Sequence, residues 1–259
     1  MEVQIHAAEH CNLNCRGCDA FAPLMSKIFP DIETIRRDLR RFSELTNGTI
    51  GTITISGGEP SQNPMLPEIL FEARACFPNR ELKIITNGIL LEEAADEFWT
   101  ACKINKVIIS ITLYPIGLNI DRIVDIAAAH TVGLVFQDDT DIRPKTLYST
   151  PLNPSGTQSK KENYKLCFMA NKNFVLENGK IYTCPTIAHI ERVNKTFNQN
   201  FEVSYNDYVD IYKIGSFDEI SQFMHKPMPF CRYCNKKKRI SGLKWKTSNM
   251  EMSEWICTE

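Results

Sequence analysis

Apolar positions along the first half of the chain change period again and again. Residues 3–7, Val-Gln-Ile-His-Ala, alternate apolar and polar side chains and read as a strand. Residues 34–45 then place Ile35, Leu39, Phe42 and Leu45 on one face and charged side chains on the other, which predicts an amphipathic helix. The same exchange recurs three times, with strand at 52–56 and helix at 66–77, strand at 82–85 and helix at 92–102, strand at 107–112 and helix at 120–130, before a last strand at 132–137. Pro78-Asn79 stops the second helix and Thr86-Asn87-Gly88 closes the third strand. Alternating strand–helix units predict a parallel sheet, and right-handed crossovers curl it into a full or partial barrel. In such folds the active site lies at the C-terminal strand ends.

The pattern changes near residue 140. Residues 138–161 are rich in Pro, Ser, Thr, Asn and Asp and read as a long loop, a functional lid or a connection. Two short strands, 173–176 and 180–183, flank Glu177-Asn178-Gly179 and predict a β-hairpin. The chain divides on this reading into a barrel-forming part, 1–160, and a smaller α+β part, 161–259. Its 259 residues, 43% hydrophobic content and net charge of −1 suit a globular protein without a nucleic-acid or membrane partner. No apolar run is long enough to span a bilayer, and the N-terminus lacks signal-peptide features, so the expected location is cytoplasmic.

Ten cysteines change the picture. In a reducing compartment, clustered cysteines are read first as metal ligands. Cys11, Cys15 and Cys18 form a Cys-x3-Cys-x2-Cys set on the loop after the first strand. Three thiolates hold three corners of a [4Fe–4S] cube and leave the fourth iron open to a ligand. The alternative is a structural zinc site completed by His10 or His6. Cys167 and Cys184 bracket the hairpin, and Cys231 and Cys234 form a Cys-x2-Cys pair. Together these four thiols would close a second [4Fe–4S] cluster or hold a zinc ion. Cys76 and Cys102 lie in helical patterns and read as small buried apolar residues. Cys257 stands alone near the end of the chain.

Cys11-x3-Cys15-x2-Cys18, followed at the end of the second strand by Ser56-Gly57-Gly58-Glu59-Pro60, resembles the radical S-adenosylmethionine (SAM) superfamily over roughly the first 140 residues. The resemblance implies a partial parallel (β/α)6 barrel in which the open iron chelates SAM and an electron from the cluster yields a 5′-deoxyadenosyl radical. It further implies that Gly57, Gly58 and Glu59 cradle the methionyl end, with Glu59 accepting from the SAM ammonium. Asn87 and Ser110 would bond the ribose or carboxylate, with a turn-forming and a barrel-filling role as their ordinary alternatives. Gln137 and Asp138 are weaker candidates. One departure is Gly17, where the superfamily usually carries an aromatic residue near the adenine. A reductant such as flavodoxin or ferredoxin is the implied electron donor.

The later segment resembles the opening of a SPASM domain, in the shortened form called a twitch domain. The whole layout is similar to that of the 2-deoxy-scyllo-inosamine dehydrogenase family, radical SAM enzymes that oxidise a cyclitol alcohol. This resemblance implies a small polar substrate (a cyclitol, sugar or sugar nucleotide) and an auxiliary [4Fe–4S] cluster as electron acceptor. The polar loop 146–159, with Arg143 and Lys145, is a candidate for holding that substrate. Lys236, Lys237, Lys238 and Arg239 are either a solvated basic run or cations serving the second cluster. Two other readings stay open. One is epimerisation of a sugar or peptide with Cys257 as hydrogen donor. The other is a non-catalytic iron–sulfur or zinc protein.

Overall fold

The computed structural model describes residues 1–137, 147–170 and 172–257. Its elements in chain order are β1 (Glu2–Ala8), α1 (Ile32–Thr46), β2 (Thr52–Gly57), α2 (Leu66–Cys76), β3 (Glu81–Thr86), α3 (Asp96–Ile104), β4 (Val107–Thr112), α4 (Ile120–Ala129) and β5 (Gly133–Gln137). They continue with β6 (Leu147–Ser149), α5 (Lys160–Lys165), β7 (Asn173–Glu177), β8 (Lys180–Tyr182), α6 (Pro185–Phe197), β9 (Tyr208–Asp210), α7 (Phe217–Met224) and β10 (Ile240–Leu243). No helix among the described residues is long and apolar enough to cross a membrane.

The four predicted strand–helix repeats and the fifth strand form as expected. β1 to β5 lie side by side in parallel, in the order β5-β4-β3-β2-β1. α1 covers one face because Ile35, Leu39, Phe42 and Leu45 share a side and are buried. Phe42 meets Phe77 at 5.9 Å and Phe174 of β7 at 5.7 Å between ring centroids. Asp31 caps α1 by accepting from the Thr34 backbone N–H at 3.0 Å, and Asn47 ends it in the left-handed region. α3 starts four residues later than the periodicity suggests. Leu91 is fully buried and its N–H bonds Gly88 O at 3.1 Å, so residues 88–95 turn instead of winding. Asp96 and Glu97 then occupy the first turn of α3, where the helix dipole favours them.

The hairpin forms around Asn178 and Gly179, both at positive φ, as a two-residue loop requires. Its position is the main addition to the expected picture. β7 pairs in parallel with β1, from Glu2↔Asn173 to Ile5↔Leu176, and β8 and β9 extend the sheet beyond it. One eight-stranded sheet therefore runs β5-β4-β3-β2-β1-β7-β8-β9, and its sixth parallel strand comes from the segment after residue 160. The two outer strands, β5 and β9, do not pair with each other, so the barrel is open. Asp38 of α1 secures the join: its carboxylate accepts from Gly179 N at 2.7 Å and from the Tyr212 hydroxyl at 2.6 Å. The long polar loop is not wholly irregular. β6 pairs antiparallel with β10, and Leu152 bridges to Cys234 and Ile256. Asp138, Arg143, Lys145 and Thr146 lie outside the described residues.

Candidate functional site

The ends of β1, β2, β3 and β4 meet at a cavity of about 250 Å³, and Cys11, Cys15 and Cys18 line it with Gly57, Gly58 and Glu59. The cysteine loop leaves β1 and the glycine loop leaves β2. The two come together through backbone bonds from Gly58 N to Ala8 O at 2.8 Å and from Glu59 N to His10 O at 2.9 Å. A Cβ on Gly58 would stand 1.8 Å from the His10 carbonyl oxygen. One on Gly57, at φ +125°, would stand 2.6 Å from the Ala8 carbonyl oxygen. Only glycine permits that approach. The glycines thus serve first to set two loops against each other, whereas the sequence pattern suggested approach to a ligand. Gly58→Ala is expected to push the cysteine loop out of place, lowering stability by roughly 2–4 kcal/mol. Thermal unfolding and iron content after reconstitution measure this, and a normally loading, equally stable variant would contradict it.

Glu59 is buried, and its carboxylate is occupied by the protein itself. Oε1 accepts from Ser61 N at 3.1 Å, Ser61 Oγ at 2.5 Å and Thr86 Oγ1 at 2.7 Å, while Oε2 accepts from Asn87 N at 2.9 Å. Burial raises its pKa and these four donors oppose the rise. Glu59 thereby ties the loop after β2 to the loop after β3 while still lining the cavity. Glu59→Gln sets an amide NH2 against one of the donors and is expected to cost about 1–3 kcal/mol. The unfolding midpoint should fall with or without SAM. A variant that loses SAM affinity at unchanged stability would instead mark Glu59 as a direct SAM ligand.

Asn87 also faces the cluster loop. Its Nδ2 donates to Asn12 Oδ1 at 2.7 Å and to Cys11 Sγ at 3.6 Å, and its Oδ1 accepts from Ile89 N at 3.0 Å. Thr112 and Tyr114 line the cavity, whereas Ser110, two residues before Thr112 on the same strand face, is buried and lies outside the lining. Gln137 accepts from Thr112 Oγ1 at 2.8 Å. Where an aromatic residue would precede Cys18, Gly17 adopts φ +66°, and a Cβ there would stand 3.6 Å from the Glu254 carbonyl oxygen. The cavity's aromatic side chain is Tyr114 instead.

The sulfurs are prepared for negative charge. Leu13 N–H points at Cys11 Sγ at 3.4 Å, beside the Asn87 amide, and Trp245 Nε1 points at Cys15 Sγ at 3.2 Å. Such donors gain most when the acceptor is a thiolate. Without a metal, burial holds the thiols protonated: Cys11 is pushed up to about 11 and Cys18 to about 12. A thiol-ligated cluster therefore fits these residues, since a bound metal removes the protons that burial retains.

The four later cysteines are also brought together. Cys167, Cys184, Cys231 and Cys234 line one small cavity of about 40 Å³. Cys184 is the N-cap residue just before α6, so it sits at a helix N-terminus. Burial pushes Cys231 up to about 11 and Cys234 to about 12, and the Lys236 ammonium pulls both down. Asn163 Nδ2 donates to the carbonyls of Cys231 and Cys234 and fixes their loop. The basic run divides. Lys236 lines this cavity, Arg239 stacks on Phe168 at 4.4 Å, and Lys237 pairs with Glu162 at 2.9 Å. Cys257 lies beside Asn235, its N–H bonded to Leu152 O at 2.9 Å, and it lines neither thiol cavity.

Several residues escaped sequence reasoning. Arg192 of α6 donates to the carbonyls of Glu9 (3.2 Å) and Ala20 (2.7 Å) and pairs with the Glu9 carboxylate, so one guanidinium holds both ends of the cysteine loop. His6, His189 and Glu177 pack beside it. His189 Nε2 and His6 Nδ1 are 2.7 Å apart, and His189 Nδ1 is 3.3 Å from Glu177 Oε2. Burial depresses His189 to about 4 and raises Glu177 to about 7, so both lean toward their neutral forms. Trp245 and Trp255 come from the C-terminal tail. Their one sequence signal is that two of the three tryptophans fall in a short polar stretch after the last cysteine pair.

The described residues thus form an open, mostly parallel α/β sheet with three loop thiols and a glycine-bordered cavity at its strand ends. Residues 5–126 match the model of the Radical SAM superfamily, and the chain carries a domain of that superfamily. Among curated proteins it is similar to the GTP 3′,8-cyclase of Tolumonas auensis (30% identity over 101 residues, 38% of this chain and 29% of the relative). It is also similar to the GTP 3′,8-cyclase of Peptoclostridium acidaminophilum (31% over 114 residues, 44% of this chain and 35% of the relative). The chain thus spans about a third of the length of these relatives. Among solved structures it resembles BtrN in complex with AdoMet and 2-DOIA, with a TM-score of 0.53 and 14% identity over 90% of this chain and 92% of that one. Native anSMEcpe with bound AdoMet gives 0.50 and 13% over 90% and 83%. At these identities the likeness is one of fold, and it extends over both parts of the chain.

Proposed function

We propose that this protein is a radical SAM dehydrogenase of a small polar alcohol, with Cys11, Cys15 and Cys18 holding the SAM-cleaving [4Fe–4S] cluster. In this reading Cys167, Cys184, Cys231 and Cys234 hold a second [4Fe–4S] cluster that accepts an electron. When bound, the first cluster and SAM supply a 5′-deoxyadenosyl radical that removes a hydrogen atom from carbon. Conversion of the alcohol to a ketone then requires loss of the hydroxyl proton and one further electron. A reductant of the flavodoxin or ferredoxin type feeds the first site.

The observation that carries the reading is a narrow cleft of about 40 Å³ between the two thiol sites. It shares Gly17 and Asp19 with the first cavity and Met169, Thr186 and Lys236 with the four-thiol cavity. Ser149 and Thr150 also line it. Lys236 Nζ donates to Thr150 Oγ1 at 3.5 Å, so the cleft offers a cation and several hydroxyls to a polyhydroxylated ligand. Cys257 lies outside the lining of both thiol cavities.

The test is to incubate the reduced, reconstituted protein with SAM and candidate cyclitols, sugars and sugar nucleotides in deuterated water. A ketone and 5′-deoxyadenosine in equal amounts are expected. Deuterium at a substrate carbon without oxidation would point to epimerisation, and absence of 5′-deoxyadenosine under every condition would remove the enzyme reading.

A further inference from the structure

The donor to Cys15 does not come from the cysteine loop. After β10 the chain turns back and lies along that loop. Arg16 N donates to Lys246 O at 3.0 Å, Ser248 N donates to Asn14 O at 2.8 Å, and Cys15 and Thr247 form an antiparallel bridge. This strap fixes Trp245, whose Nε1 lies 3.2 Å from Cys15 Sγ. An indole nitrogen only donates, so the hydrogen atom points at the sulfur. Tyr114 flanks the indole at 6.2 Å between ring centroids. Further along, Trp255 Nε1 donates to the Cys18 carbonyl at 2.9 Å, anchoring the far end of the same loop.

We infer that Trp245 is a positioning residue of the first cluster: its indole N–H donates to the Cys15 thiolate and raises the potential at which that cluster accepts its electron. The inference rests on the proposed assignment of a cluster to Cys11, Cys15 and Cys18. Reduction adds negative charge that spreads onto the cysteine sulfurs. A fixed N–H donor stabilises the reduced form more than the oxidised form. The C-terminal strap thereby contributes to the reaction without touching SAM or substrate.

The full chain, reconstituted anaerobically, is assayed for iron and sulfide and then titrated potentiometrically by electron paramagnetic resonance. The first cluster is recognised as the signal that changes on adding SAM. Trp245→Phe keeps an aromatic ring and removes the donor. Its midpoint for that signal is expected to move to more negative potential, while the second signal stays in place. An unchanged midpoint in a fully loaded variant would mean that the indole only packs, and would overturn the inference. A second measurement does not depend on that variant. Protein labelled with indole-15N tryptophan should show a nitrogen coupling in the reduced, SAM-responsive signal, and the coupling should persist in Trp255→Phe. Its absence overturns the inference as well. Wild-type protein lacking any iron at Cys11, Cys15 and Cys18 would instead remove the cluster assignment itself, a result the iron assay separates from the others.

Discussion

Replacing Cys11, Cys15 and Cys18 together by alanine is expected to lower the iron content of the reconstituted chain from about eight atoms to about four and to abolish SAM cleavage. The loop should keep its path in that variant. Its anchors are backbone atoms: the carbonyls of Glu9 and Ala20 are held by Arg192, the Cys18 carbonyl by Trp255, and the His10 carbonyl by Glu59 N. Loss of activity would then report loss of ligands and not loss of fold. In the absence of metal these thiols are neutral, so alanine leaves no buried charge unpaired. Iron, sulfide and 5′-deoxyadenosine are the measurements. Retained SAM cleavage would overturn the ligand assignment. Tightly bound zinc with no labile sulfide in protein purified natively without oxygen would overturn the cluster reading as a whole.

Much of this site was legible because its local chemistry is sequential. Cys11, Cys15 and Cys18 lie on one loop, and Gly57-Gly58-Glu59 marks a second loop at a strand end. The strand–helix periodicity places both loops at the same edge of a parallel sheet. The part played by Glu59 was not legible. A carboxylate beside two glycines looks free in sequence, and its four donors come partly from Thr86 and Asn87, some thirty residues on. The β6–β10 pair escaped for a similar reason. Each strand is too short to show a period, and partners about ninety residues apart find each other only in the fold. β7 was recognised as a strand but not as a neighbour of β1, because its apolar run suits a hairpin at a sheet edge and a place inside the sheet equally well. Trp245 and Arg192 act by reaching back across the chain to the first loop. Spacing along the sequence carries no trace of such contacts.

That reach sets the terms for the second large effect. Cys231→Ala with Cys234→Ala is expected to remove the second cluster and reduce ketone formation to background, while SAM cleavage without product persists. The first site makes the radical, whereas only an oxidation needs somewhere to send the substrate's remaining electron. α6 complicates the experiment, since it begins just after Cys184 and holds the first cysteine loop through Arg192 two turns later. Metal loss can loosen a small module, and loosening here would travel along that helix to the radical site. The wild-type contacts of the 231–236 segment favour survival. Asn163 bonds the carbonyls of residues 231 and 234 and accepts from Lys236 N at 3.2 Å, while Tyr233 packs on Phe201 at 5.1 Å. None of these contacts uses a thiol. The variant should therefore retain about four iron atoms, the circular dichroism of the parent and a SAM-responsive cluster signal. Those three controls separate loss of an electron acceptor from collapse of the barrel mouth. Normal ketone formation by a variant that meets all three would end the dehydrogenase reading and bring forward chemistry in which the substrate radical leaves no electron behind.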